Sequence, residues 1–136
     1  MRKIKLPDNL SVFDAFYQKT YGSDIESVGI SESNSNFKTV DGVLFNKNGS
    51  KLIYYPTNNP RKTYTLPNTV DRIWDSSFKS TSNLETLICP NAITIETSSF
   101  HNAKISHMIF LSTTPVTLQA CAFREAYGLI DMTFYS

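Results

Sequence analysis

Residues 64–100 read YTLPNTVDRIWDSSFKSTSNLETLICPNAITIETSSF, and they carry one pattern twice. Leu66-Pro67 and Cys89-Pro90 lie 23 residues apart, while the small polar runs WDSSF and ETSSF place Phe78 and Phe100 at an interval of 22. Moving outward, QACAF ends in Phe123, a further 23 residues on. The apolar spacing of LETLIC (Leu84, Leu87, Cys89) returns in ISHMIF (Ile105, Met108, Phe110) and in LIDMTF (Leu129, Met132, Phe134). Its last position therefore steps through 66, 89, 110 and 134. Towards the start, IESVGI has the same spacing (Ile25, Val28, Ile30), and Ile4-Lys5-Leu6-Pro7 is a shortened copy with its own Pro. Three markers holding one phase predict a repeat protein with units of about 22–23 residues.

The spacing also fixes how each unit is built. Alternate side chains of a strand share a face, so Leu87 and Cys89 point inward while Thr86 and Ile88 point out. One strand per unit cannot enclose a core, so the Phe of each marker must fill the space behind it. The segments leading to that Phe, NTVDRIWDSSF and NAITIETSSF, are rich in Thr, Ile and Val and too short for a regular helix. They predict a return side of extended chain and turns with at most one helical turn. The fold class expected is mainly β: a right-handed solenoid spanning 1–136 as one domain.

One segment breaks the period. In SNFKTVDGVLFNKNGSKLIYYP, the runs VLF and KLIYY flank NKNGS, with Asn48-Gly49 at its tip. This predicts a β-hairpin module over about 37–56, either an insertion or a modified rung, leaning on the solenoid through Phe37, Leu44, Phe45 and Tyr55. Tyr54, Tyr55, Tyr64 and Trp74 read as edge packing, with a sugar- or peptide-binding platform as the alternative. Cys89 and Cys121 form no disulfide framework or zinc spacing, and both read as buried free thiols.

The stretches 64–100 and 40–56 resemble the BspA-like, treponemal-type leucine-rich-repeat family in their order of strand, Pro, Val, Ile, Phe and next-strand Leu, and in their hairpin module. The segment TTPVTLQACAF (113–123) is similar to the terminal-type units of that family, and the match extends over roughly 25–134. Glu96 departs from it, standing where an apolar return-side residue is expected, and the first unit, LPDNLSVFDAF (6–16), is about two residues short. The resemblance implies a leucine-rich-repeat solenoid with no catalytic residue, on proteins that are surface-exposed or secreted and act in adhesion and protein binding.

Composition narrows the rest. The chain has 136 residues, 40% hydrophobic and 12% aromatic, enough for a real core. Its 16 Ser, 14 Thr and 11 Asn outweigh 6 Ala and 5 Glu, which disfavours long helices. A net charge of +1 argues against a nucleic-acid partner, and no apolar run is long enough for a membrane span. The start, MRKIKLPDNLSVF, has a basic pair with no apolar run behind it, so no secretory signal is visible and a cytoplasmic location stays open. No nucleophile elbow, phosphate loop, dinucleotide fingerprint or metalloprotease motif appears, so no enzyme activity, cofactor or metal is expected. His107 reads as a surface residue of its strand and His101 as a turn residue. The triplets Asn9-Leu10-Ser11 and Asn48-Gly49-Ser50 need no glycan in so Asn- and Ser-rich a chain.

The candidate site follows from the outward positions. Thr65, Ile88, Ile109 and Thr133 form one β-branched ladder, with Thr86, His107 and Asp131 in the next column. Thr65, Thr86, Ile88, His107, Ile109 and Asp131 are thus the expected partner-binding residues of a non-enzymatic interaction module. The expected partner is a protein or glycan, on a host cell or matrix. The alternative is a structural spacer or stalk fragment. The end rungs, LIDMTFY above all, lack polar caps and predict weak end-to-end self-association or a neighbouring domain beyond them.

Overall fold

The computed structural model describes residues 2–13, 24–112 and 116–135. Among them every regular element is a strand, and three sheets result. The first pairs β1 (Arg2–Lys5) with β2 (Ile25–Gly29) in parallel. The second is the strand face of the solenoid: β6 (Thr63–Thr65), β8 (Thr86–Cys89), β10 (His107–Phe110) and β12 (Asp131–Phe134), all parallel. The third is the return side. Its two-residue strands β7 (Arg72–Ile73), β9 (Thr94–Ile95) and β11 (Thr117–Leu118) continue directly into a hairpin region. There β5 (Lys51–Tyr54) joins β7 in parallel and β4 (Val43–Asn46) antiparallel, and β4 joins β3 (Phe37–Val40).

The phase of the strands is as the alternation predicts. In β8 and β10 burial alternates, with Leu87, Cys89, Met108 and Phe110 inside and Thr86, Ile88, His107 and Ile109 partly exposed. Behind them, the marker aromatics form a continuous stack. Tyr55 lies on Phe78 at 4.9 Å, Phe78 on Phe100 at 4.8 Å and Phe100 on Phe123 at 5.0 Å between centroids. Near-parallel rings at that separation are offset rather than face-to-face, the arrangement their quadrupoles favour. Backbone bonds run in phase with the rings: the amides of Tyr55, Phe78 and Phe100 donate to the carbonyls of Ser77, Ser99 and Ala122 one rung on.

The turns around each Phe use left-handed backbone twice per rung. Ser76, Ser98 and Cys121 have φ of 59°, 60° and 61°, and Ser80, Asn102 and Glu125 have 59°, 56° and 58°. These positions sit two residues before and two after the ring, which is why short polar residues that tolerate this region recur there. Cys121 is consequently exposed on a turn, not buried as its neighbours suggested, whereas Cys89 is fully buried.

The hairpin is a modified rung, not an appendage. Its strand β5 opens the return sheet, and Tyr55 opens the aromatic stack. A second tight turn, Asp41-Gly42, has positive φ at both residues (51° and 82°), the geometry of a type I′ hairpin. A Cβ on Gly42 would meet the Ser27 Cβ at 2.6 Å, so only Gly allows β2 this close. Side chains alternate between two cores here. Val43, Phe45 and Leu52 face the solenoid, while Leu44, Ile53 and Tyr54 face a second cluster with Leu6, Leu10, Phe13, Ile25, Val28 and Phe37.

The strand pattern in IESVGI is therefore real, but β2 pairs only with β1 and does not extend the strand face. Buried Asn34 fixes this arm to the hairpin: its amide donates to the carbonyls of Asp8 and Leu10 and its oxygen accepts from the amides of Asn36 and Phe37. Of the expected first unit, residues 14–16 lie outside the described residues, as do Thr113, Thr114 and Pro115 of the terminal-type unit.

Two measurements check this packing. Leu87→Ala leaves a cavity between rungs and should cost ~2–5 kcal/mol, and Ile88→Thr well under half of that; chemical denaturation reading equal losses would overturn the strand phase. The second is alkaline. Burial pushes the Cys89 thiol up from 9.0 to about 12 and raises the Tyr54, Tyr55 and Tyr64 hydroxyls. The folded state then holds protons that the unfolded chain releases, so stability is full below about pH 9 and falls as pH rises above it. Thermal midpoints should drop over that range, less steeply in Cys89→Ala. A thiol reagent on the native chain should label Cys121 alone.

Candidate functional site

The strand face is built by register. Thr63, Thr86, His107 and Asp131 are partners across β6, β8, β10 and β12, and Thr65, Ile88, Ile109 and Thr133 are partners in the neighbouring column. All six expected binding residues, Thr65, Thr86, Ile88, His107, Ile109 and Asp131, thus lie on one face, side by side. Parallel pairing spaces them by roughly 4.8 Å from rung to rung. Each side chain of the pair that caps the polar column is about half exposed: His107 Nδ1 lies 3.0 Å from Asp131 Oδ1, with side chains 41% and 48% exposed. At the strand starts, Lys62 approaches Glu85 at 3.9 Å, and the Glu85 carbonyl accepts from the amides of Ser106 and His107. The face therefore carries charges of both signs, with an apolar strip of two isoleucines beside a polar column.

This arrangement offers hydrogen-bond donors and acceptors beside an apolar strip. Among the described residues no group of three His, Cys, Asp or Glu side chains converges as a metal site, and no helix is long and apolar enough to cross a membrane. His101 sits on the turn side, where its Nε2 is 2.9 Å from Glu125 Oε2 of the next rung. The aromatic platform does not form: Tyr54 and Tyr55 are buried at 2% and 1% exposure. Tyr64 is half-buried under the Arg61 guanidinium, and Trp74 lies under the Lys51 ammonium at 4.4 Å. Glu96 is no packing defect either. Its carboxylate, 12% exposed, pairs with Arg72 of the previous rung at 2.6 Å and accepts from the Asp75 amide.

A second concavity escaped the sequence reading. A groove of about 690 Å³ lies between β1 and β2, the Asp41-Gly42 turn and residues 59–61. Lys3, Lys5, Glu26, Asp41 and Arg61 give it both signs of charge. Arg61 is held across it by a bond from its Nη2 to the Asp41 carbonyl at 2.7 Å. The segment NNPRK has loop composition, so only the basic pair at its end hinted that it bordered anything.

With a period of 22–23 residues, a parallel strand face and an aromatic stack behind it, the fold is a leucine-rich-repeat solenoid. The family model for the BspA type leucine-rich repeat region matches residues 53–136 in six copies. The chain belongs to the BspA-type leucine-rich-repeat family. Its matched part begins within β5, later than the residue 25 expected from the sequence. No curated relative matches this BspA-type chain in sequence.

Solved structures share the fold. The pneumococcal vaccine antigen PcpA is similar over 100% of this chain and 39% of its own, at TM-score 0.66 and 22% identity. A leucine-rich repeat protein from Eubacterium ventriosum aligns with 96% of this chain and 48% of its own, at TM-score 0.60 and 17% identity. A leucine-rich cell surface protein from Faecalibacterium prausnitzii gives 82% and 42%, at TM-score 0.50 and 15% identity. The chain spans less than half the length of each.

Proposed function

We propose that this BspA-type chain is a non-enzymatic binding module that docks a protein or glycan of a host cell or matrix on its strand face. The observation that carries the reading is the pair of in-register columns, Thr63-Thr86-His107-Asp131 and Thr65-Ile88-Ile109-Thr133. Side chains held at strand spacing by the sheet beneath lose little freedom on contact, so a partner meets a surface already arranged. Charges of both signs with no basic excess suit a neutral, hydrogen-bonding partner and not a polyanion. A cell-surface location is part of the proposal. It is supported by the family and by the similarity in fold to a vaccine antigen and a cell surface protein. Residues 1–136 are proposed to act as one folding unit, because β4 sends Val43 and Phe45 into one core and Leu44 into the other.

The test is adhesion of the purified chain to host-cell monolayers and matrix-coated surfaces. Thr86→Arg combined with Ile109→Glu should reduce binding at least ~10-fold with an unchanged thermal transition, since neither side chain is buried. Thr97→Glu combined with Thr117→Arg, both exposed on the return side, should leave binding intact. Loss with the return-side pair and not with the strand-face pair would overturn the reading. Adhesion insensitive to every exposed substitution would favour a structural spacer.

A further inference from the structure

We infer that the groove beside Arg61 is a second binding site, which takes an extended peptide segment carrying acidic and basic side chains in alternation. This goes beyond the strand-face reading and uses none of the six residues assigned to it.

The hollow has a cause in the sequence. The register between β1 and β2 slips after Arg2, which leaves Glu26 as an extra residue and pairs Lys3 with Ser27 and Lys5 with Gly29. Ile25 and Val28 are buried and Ile4 packs against their cluster, so those two pairs form the outward surface of the strands. In β8 and β10 the outward positions carry Thr86, Ile88, His107 and Ile109. β2 has only Ser27 and Gly29 there, and a Cβ built on Gly29 would meet nothing within 4 Å. The floor of the groove is low because its side chains are small.

Both edges of this floor strand are bonded. β1 occupies one edge. On the other, the Val28 amide donates to the Gly42 carbonyl, the Asn58 amide to the Ile25 carbonyl and the Asn59 side chain to the Glu26 carbonyl. The hollow is therefore internal to the fold and is not a free sheet edge. Its far wall is fixed as well. Buried Asn59 accepts from the Tyr55 hydroxyl and the Arg61 amide, each at 3.1 Å, and Arg61 Nη2 reaches the Asp41 carbonyl at 2.7 Å. A volume of about 690 Å³ admits a short segment of chain and not a folded domain.

Charge selects the occupant. Opposite charges on neighbouring rungs of the solenoid meet, as Arg72 and Glu96 do at 2.6 Å. Lys3, Glu26 and Asp41 line one hollow, yet among the described residues they enter no ion pair. A ligand of a single sign would be repelled by part of this lining, and a neutral sugar would desolvate it without pairing. A segment with an acidic side chain towards Lys3 and Lys5 and a basic one towards Glu26 and Asp41 satisfies both. Residues two apart in an extended peptide share a face, so a Glu-x-Lys alternation presents both charges to the groove together. The fixed walls confine the ordering cost to the peptide.

Isothermal titration calorimetry of the 136-residue chain tests this with acetyl-Glu-Thr-Lys-Thr-Glu-Thr-Lys-amide and with versions carrying Glu alone or Lys alone at the charged positions. Saturable binding of the mixed peptide is expected, at least ~10-fold tighter than either single-sign peptide. Gly29→Leu fills the hollow from a strand position with room for the side chain, and should weaken binding at least ~10-fold with the thermal transition retained. Lys3→Glu, and separately Asp41→Asn, should narrow the preference for the mixed peptide. Asn tolerates the left-handed φ of 51° at that turn, so the second change removes charge alone. Thr86→Arg with Ile109→Glu should leave peptide binding unchanged, which separates this site from adhesion through the strand face. The proposal is overturned by no saturable binding of the mixed peptide, by equal affinity for the single-sign peptides, by binding that survives Gly29→Leu, or by equal competition from neutral maltoheptaose.

Discussion

Everything in this molecule depends on one repeated distance, the spacing of parallel strands. A strand face hydrogen-bonded at about 4.8 Å per rung requires the chain behind it to climb by the same amount. The aromatic stack Tyr55-Phe78-Phe100-Phe123, at 4.8–5.0 Å per step, meets that requirement with rings, and the amides beside them meet it with hydrogen bonds. Neither side of the solenoid could keep pace alone: the return strands are two residues long and contribute few ladder bonds. The ring stack supplies apolar burial where the backbone pairing is thin. The recurring left-handed residues are the cost of turning tightly enough on both sides of each ring.

That constraint also explains how the solenoid starts. A first rung needs something on its open side, and here the hairpin provides it. β5 supplies the return-side edge and Tyr55 the first ring, while β4 and β3 extend the same sheet outward. The sheet is then covered on its other face by the N-terminal arm, which explains why three consecutive residues of β4 are all buried.

What the sequence revealed followed from periodicity. The interval between Phe78, Phe100 and Phe123 and the spacing of Leu84, Leu87 and Cys89 made the rung, its inward face and the two outward columns legible without coordinates. Properties that depend on a single φ angle or on a cross-rung partner were not. Cys121 sits among small and apolar neighbours, yet its place two residues before a ring is a left-handed turn on the surface. Glu96 looked like a lost apolar residue because its counter-ion, Arg72, is a whole period away. The first two strands carried the right spacing but the wrong neighbours, since a local pattern specifies a strand and not its sheet. The groove at Arg61 depends on three segments meeting, and no local signal encodes that.

The same division of labour bears on function. Inward positions are fixed by stacking, so Leu87, Met108 and the rings can vary little without a cavity or a clash. Outward positions such as Thr86, His107 and Ile109 are held in place by the ladder but contribute little to it. Their identity is free to change while their spacing is not. A surface of that kind separates the problem of folding from the problem of recognition: the backbone sets the positions, and each rung contributes two side chains to be chosen for a partner. The Thr-Thr-His-Asp column beside Ile88 and Ile109 has no counterpart in core packing that would demand those residues. It is this freedom from structural demand, and not any reactive group, on which the proposal of a binding role for the strand face rests.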